Sequence, residues 1–274
     1  MKRPALVIAA VLTALSLPMT ARAENGGPQS REYKLGLDPD ALPGDPEAAI
    51  AAVSRRLERV GNLEFKKPKQ AEVQFFDTPD CSLTRASMLL RSRARPRKVP
   101  QITLKIRNRD IRAVEAVPIG LARAGETAFQ DDYGLGPDGK PAGSFSRSLS
   151  FEADPPKTLA ELAGSIRNLG KVVPFRADAP LKAGPLIAQT AYVAKPLPLG
   201  GDRKIRLEAT FWYPASGGKA LAGDISFTLE MPLSGDVRRA ADGLLVELAT
   251  ALGPLKGVSG EKSLAAIPSA CRIP

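Results

Sequence analysis

Leu89-Leu90-Arg91-Ser92-Arg93-Ala94-Arg95 and, a short break later, Gln101-Ile102-Thr103-Leu104-Lys105-Ile106-Arg107 are the two stretches that decide the fold. Arg91, Arg93 and Arg95 recur at every second position, as do Thr103, Lys105 and Arg107. Side chains two apart on a strand share a face, so the spacing predicts two neighbouring strands carrying adjacent basic rows. Glu32 with Lys34, Arg206 with Glu208, and Thr228 with Glu230 make further same-face polar rows. Two arrangements satisfy this pattern. The rows form the solvated side of a half-buried antiparallel sheet, or the sheet curls until the polar faces converge on a charged channel.

Outward from these runs, alternation predicts strands over 31–37, 72–78, 145–152, 186–193, 204–213 and 224–231. Asp45 before Pro46 is a helix start, and Ala49, Ile50, Val53, Leu57 and Val60 follow at helical spacing. Further helices are expected over 158–169 and 236–252, the latter with Leu244, Leu245, Leu248 and Leu252 on one stripe. Three amphipathic helices are enough to cover the outside of a curled sheet. Connections between the strands are too short for parallel crossovers, which gives an α+β fold with a predominantly antiparallel sheet. The stretch at about 108–143 is rich in glycine and proline and reads as a long loop excursion.

The N-terminus has the form of a signal peptide: Lys2 and Arg3, an apolar run over 5–17, Pro18, then Ala21-Arg22-Ala23. The run is shorter than the roughly 18 to 20 residues that span a bilayer. Cleavage after residue 23 is expected, leaving a flexible leader at 24–30, one domain over 31–274, no membrane span, and a periplasmic or secreted location. Of 39 basic residues three would leave with the peptide, so 36 face 29 acidic ones in the mature chain. That excess favours anionic partners. Cys81 and Cys271 are the only cysteines; in an oxidising compartment they are a disulfide or else two unpaired thiols. The absence of histidine removes Ser-His and Cys-His nucleophile pairs and every His-ligated metal site. A bound metal would sit among oxygens, as magnesium, manganese and calcium do. Aromatics make up 5% of the chain and do not interleave with the basic rows, so nucleic acid is not an expected partner.

Two short motifs fail on context. Gly134-Leu135-Gly136-Pro137-Asp138-Gly139-Lys140 fits a phosphate-loop spacing, but Pro137 and Pro141 forbid the helix that such a loop needs. Ser216-Gly217-Gly218-Lys219 matches the S-x-x-K of penicillin-recognising enzymes without its companion elements, and reads as a hairpin turn.

Phe75-Phe76-Asp77-Thr78-Pro79-Asp80, then Leu83, then Leu89-Leu90-Arg91-Ser92-Arg93, followed by Thr103-Leu104-Lys105, resembles the CYTH superfamily of triphosphate tunnel metalloenzymes. Glu32-Tyr33-Lys34 is similar to the end of that family's opening E-x-E-x-K signature. Glu230 with Gly235-Asp236, and Lys262-Ser263, resemble its late elements. The resemblance implies an eight-stranded antiparallel tunnel with helices packed outside. It also implies Lys34, Arg91, Arg93, Lys105, Arg107 and Arg206 as phosphate-binding residues, and Glu32, Glu152, Glu208 and Glu230 as ligands for magnesium or manganese. The chain departs from the pattern chiefly on the acidic side: Ser30 stands for the first glutamate, Ser150 and Thr228 occupy acidic places, and Gln189-Thr190 replaces a basic one. Two functions follow. One is a metal-dependent hydrolase of phosphoanhydride bonds in a triphosphate or polyphosphate. The other is a non-catalytic binder of a phosphate-rich anion, and convergence of the four glutamates separates them.

Overall fold

The computed structural model describes residues 27–257, apart from 62, 137, 138, 177 and 201, together with residues 266–272. The signal peptide, residues 24–26 of the leader and Lys262-Ser263 lie outside the described residues. Nine strands form a closed wall: β1 (Ser30–Leu37), β2 (Lys69–Asp77), β3 (Met88–Ala94), β4 (Gln101–Asn108), β5 (Glu126–Leu135), β6 (Pro141–Glu152), β7 (Ile187–Val193), β8 (Glu208–Pro214) and β9 (Ala222–Glu230). Their order around the barrel is β7-β8-β9-β1-β5-β6-β4-β3-β2, with β2 pairing back onto β7. Among the described residues no helix is long and apolar enough to cross a membrane.

The curled arrangement is the one adopted. Outward side chains of β1, β8 and β9, among them Tyr33, Leu35, Phe211, Ile225 and Phe227, pack with Val53 and Leu57 of helix α1 (Pro46–Leu57) and with Leu245, Leu248 and Leu252 of a long C-terminal helix, Gly235–Leu252. Leu90, Ile102, Leu104, Ile106 and Leu149 on the other side lie beneath Leu159 and Leu162 of α2 (Leu159–Ser165), so the C-terminal helix is α3. Helix starts follow the sequence: Asp45 accepts from Ala48 N at 2.8 Å, Thr158 from Glu161 N and Ser234 from Val237 N. With apolar faces turned outward under the helices, the alternate residues of each strand must face inward.

Several expectations are corrected. The wall has nine strands instead of eight, and β1 and β5 run parallel, from Ser30 opposite Gln130 to Lys34 opposite Gly134; the other wall pairings are antiparallel. The 108–143 excursion supplies that extra strand after a short helix, Ile111–Glu115. The alternation in β5 was hidden because Asp131, a charged residue, occupies the outward buried face between Phe129 and Tyr133. Asp131 is tolerated there because Arg31 pairs with it at 2.6 Å and its guanidinium lies 5.0 Å from the centre of the Tyr133 ring. The strand expected over 204–213 also divides: Arg203–Ile205 pairs with Leu197–Gly200 in a separate hairpin, and β8 begins at Glu208.

Asp77 closes one end of β2. Its carboxylate, 1% exposed, accepts from Thr78 N, Leu83 N, Thr84 N and Thr84 Oγ1, fixing the turn that carries Cys81. Cys81 is bonded to Cys271 across 190 residues. Ala266, Ile267 and Cys271 thereby pack on Val73, Phe75, Ile187, Trp212 and Ala222 at that end of the barrel. Gly184 permits the approach, since a Cβ there would meet Ala266 O at 2.5 Å.

Closing so long a loop restricts the unfolded chain by an entropy worth up to roughly 5 kcal/mol. Urea unfolding of the Cys81→Ser/Cys271→Ser protein is expected to show a lower midpoint with a stability loss of about 3–5 kcal/mol; an unchanged midpoint would mean that the C-terminal segment is held by packing alone.

Candidate functional site: a basic tunnel

Inside the barrel lies a cavity of about 1010 Å³. Its basic wall is built by consecutive elements of sequence. β3 contributes Arg91 and Arg93, and β4, paired with it so that Arg91 faces Thr103, contributes Thr103, Lys105 and Arg107. Lys34 enters from β1 on the other side. Five of the six residues read as phosphate-binding therefore share one chamber. Arg206 does not: it precedes β8, is exposed, and lines a second cavity at the mouth.

Each cation inside is under a different pressure. Burial pushes the Arg91 pKa down to about 9, and neighbouring Arg93 adds to the effect. Even so displaced, Arg91 keeps its proton at neutral pH. Arg93 is lowered too, by burial and by Arg95. The Nε atoms of Arg91, Arg93 and Arg107 are buried without a hydrogen-bond partner among the described residues. Burial works against the Lys34 ammonium as well, but Glu32, at 2.9 Å, together with Asp224 and Asp132, outweighs it and raises that pKa. Lys105 falls to about 8 through burial, although Asp132 pulls the other way.

Asp132 of β5, unforeseen in the sequence, is the acidic centre of this wall. Its Oδ2 lies 2.9 Å from Arg107 Nη2 and 3.3 Å from Lys105 Nζ. Burial favours its neutral form, but Lys105, Arg107 and Lys34 together hold its pKa below the usual carboxylate range. Asp224 on β9 was also missed as a lining residue, though its period-2 relation to Ser226 and Thr228 was there to be read. Asp132 had a weaker signal, a Gln130/Asp132 alternation inside a segment read as loop.

The four glutamates read as a metal set do not come together. Glu32 and Glu208 line the chamber. Glu152 and Glu230 are exposed at the last positions of β6 and β9, opposite Gln101 and Ser30. Among the described residues no three carboxylates gather into a metal-binding group, and those inside are engaged, Glu32 by Lys34 and Asp132 by Lys105 and Arg107. A preassembled magnesium or manganese centre does not fit this donor set. What the arrangement can do is hold a strong anion: Arg91 and Arg93 bring guanidinium groups to a buried space, where charge-assisted hydrogen bonds are about twice as strong as neutral ones.

No protein-family profile and no curated protein sequence matches the chain. Among solved structures it is similar to a Hippeastrum protein assigned as an adenylyl cyclase and described as having a dominant triphosphatase activity. The identity is 16%, the match covers 84% of this chain and 90% of that one, and the TM-score is 0.48. A Bacillus halodurans protein assigned as an adenylate cyclase is 13% identical over 81% of this chain and 89% of its own, with a TM-score of 0.39. A third, from Vibrio parahaemolyticus and also assigned as an adenylate cyclase, is 13% identical over 87% of this chain and 98% of its own, at 0.37. Likeness this distant carries no chemistry across, so function has to be read from the cavity's own residues.

The low pKa of Lys105 gives two opposite pH effects. Between about 8 and the ordinary lysine value near 10.4 the unfolded chain binds the proton better than the folded one, so stability rises with pH across that window. Affinity for an anion falls over the same window as Lys105 discharges. Titration with sulfate, whose own charge is constant there, is expected to show weaker binding at about pH 9.5 than at about pH 7, with a flatter profile for Lys105→Met. Urea unfolding should show the wild type gaining stability over that variant as pH rises; parallel profiles would mean that Lys105 titrates normally.

Proposed function

We propose that this chain is an exported protein that binds a phosphate-rich anion of the triphosphate or polyphosphate type inside its tunnel. The observation that carries the reading is the placement of Arg91 and Arg93 beside Lys105 in a chamber where burial disfavours their charge. A buried cation is relieved by an anion that replaces its lost water, and several cations in one wall favour a multiply charged one. Phosphate groups supply both the charge and the acceptor oxygens that guanidinium forks bind in pairs. The signal-peptide form of the N-terminus supports export, and the Cys81–Cys271 bridge suits an oxidising compartment.

Binding is favoured over turnover because no three carboxylates gather into a metal-binding group among the described residues, and Glu32 and Asp132 are paired with neighbouring cations. Phosphoryl transfer depends on metal-ion neutralisation of developing charge. These residues do not present a set built for that task.

Calorimetric titration of the protein from Glu24 onward with inorganic tripolyphosphate is expected to show binding that Arg91→Ala weakens by roughly tenfold to a hundredfold, since a hydrogen bond to a charged group contributes about 1.5–3 kcal/mol. The same mixtures, supplied with magnesium or manganese and assayed for released phosphate, should show no turnover. Metal-dependent release would replace the binder with a hydrolase; no heat and no release would remove the anion site altogether.

A further inference from the structure

The chamber opens at one end into a second space. Glu32, Glu208 and Ser226 line both the inner cavity and an outer one of about 630 Å³, whose walls carry Lys69, Lys204 and Arg206. These three cations are exposed and form no ion pair among the described residues. Beside them, the turn joining β3 to β4 presents Arg95, Arg97 and Lys98, also exposed. Glu72 pairs with Ala94 across β2 and β3, so this turn belongs to the barrel end at which Lys69 begins β2. Across the same rim the strand ends are acidic, with Glu126, Glu152 and Glu230. The mouth is thus basic along one arc only, and that arc continues the basic wall of β3 outward.

Distance limits what could use both spaces. Arg91 faces Phe75 on β2, and Lys69 lies six residues further along that strand, which at the rise of a strand is roughly 20 Å. Three phosphates in a row are much shorter than this. We propose that Lys69, Lys204 and Arg206 form a second anion subsite and that the ligand is a linear polyphosphate. One part of the chain is held by Arg91 and Arg93 in the chamber, and the remainder runs out over the basic arc. The assignment rests on the reading of the chamber as a phosphate site. The carboxylates at the junction do not bar the path, because Glu32 is bonded to Lys34 and the Glu208 charge is offset by its attraction to Arg93. A nucleic acid strand fits less well: Phe227, a ring at the outer cavity, is buried in the wall and offers no face for a base.

The test compares inorganic tripolyphosphate with a polyphosphate of about 15 units on the protein from Glu24 onward, with an oligonucleotide of matched charge as a third probe. The longer chain is expected to bind at least about tenfold more tightly than tripolyphosphate. Its affinity should also fall more steeply with salt, with a logarithmic slope larger by about 2. Lys69→Ala/Lys204→Ala, at exposed positions, should abolish most of that gain while leaving tripolyphosphate binding unchanged. Equal affinity for the two lengths, or a gain that survives the double substitution, would overturn the second subsite. An oligonucleotide that binds as tightly and is lost in the same variant would overturn the assignment to polyphosphate. If tripolyphosphate itself fails to bind the wild type, the reading of the chamber fails instead.

Discussion

Asp132, set between Lys105 and Arg107, is the charge on which the interior depends. A barrel that buries its apolar faces outward under helices turns polar residues in, and here those residues include five cations, Lys34, Arg91, Arg93, Lys105 and Arg107. Isolated buried cations are costly. Lys34, Lys105 and Arg107 become tolerable because Asp132 and Glu32 stand among them, whereas Arg91 and Arg93 form no ion pair among the described residues and feel Glu32, Glu208 and Asp224 only through longer-range charge. The interior is therefore divided into a part closed by ion pairs, which holds the wall together, and a part lined by Arg91 and Arg93 that is not. Both parts have a common origin in the alternation of β3 and β4.

Much of this was legible. The period-2 rows of Arg91, Arg93, Thr103 and Lys105 placed the basic wall, and Asp45 marked the start of α1 because capping is local chemistry. Less legible were features set by pairing partners far apart in the chain. Nothing within residues 126–135 says that they meet β1, and Asp131 made the strand look like a loop by putting a charge on its buried face. Likewise, Glu152 and Glu230 sit on strands as expected and even at inward-parity positions. They are exposed at the strand ends, and which residues fall there depends on how far each strand is staggered around the barrel.

The Phe75-Phe76-Asp77-Thr78-Pro79-Asp80 stretch owes its form to architecture. Asp77 never reaches the cavity; it ties four donors of the following turn and aims Cys81 at Cys271. Phe75 does line the chamber, but on the side where Trp212 and Ile267 gather. A motif that looks chemical in sequence thus serves to end one strand and begin the next, while the cations that line the chamber are the less conspicuous Arg91 and Arg93.

Asp131 and Asp132 are adjacent residues with opposite assignments. The first points outward to Arg31 and the second inward to Lys105 and Arg107. Sliding β5 by one position against β1 would exchange the two faces, placing Tyr133 in the chamber and leaving Arg31 without its partner under α3. The doublet therefore acts as a parity check on the one parallel seam of the wall. A mispaired barrel would be in error on its surface and in its interior at once, and no compensating substitution at a single position could correct both.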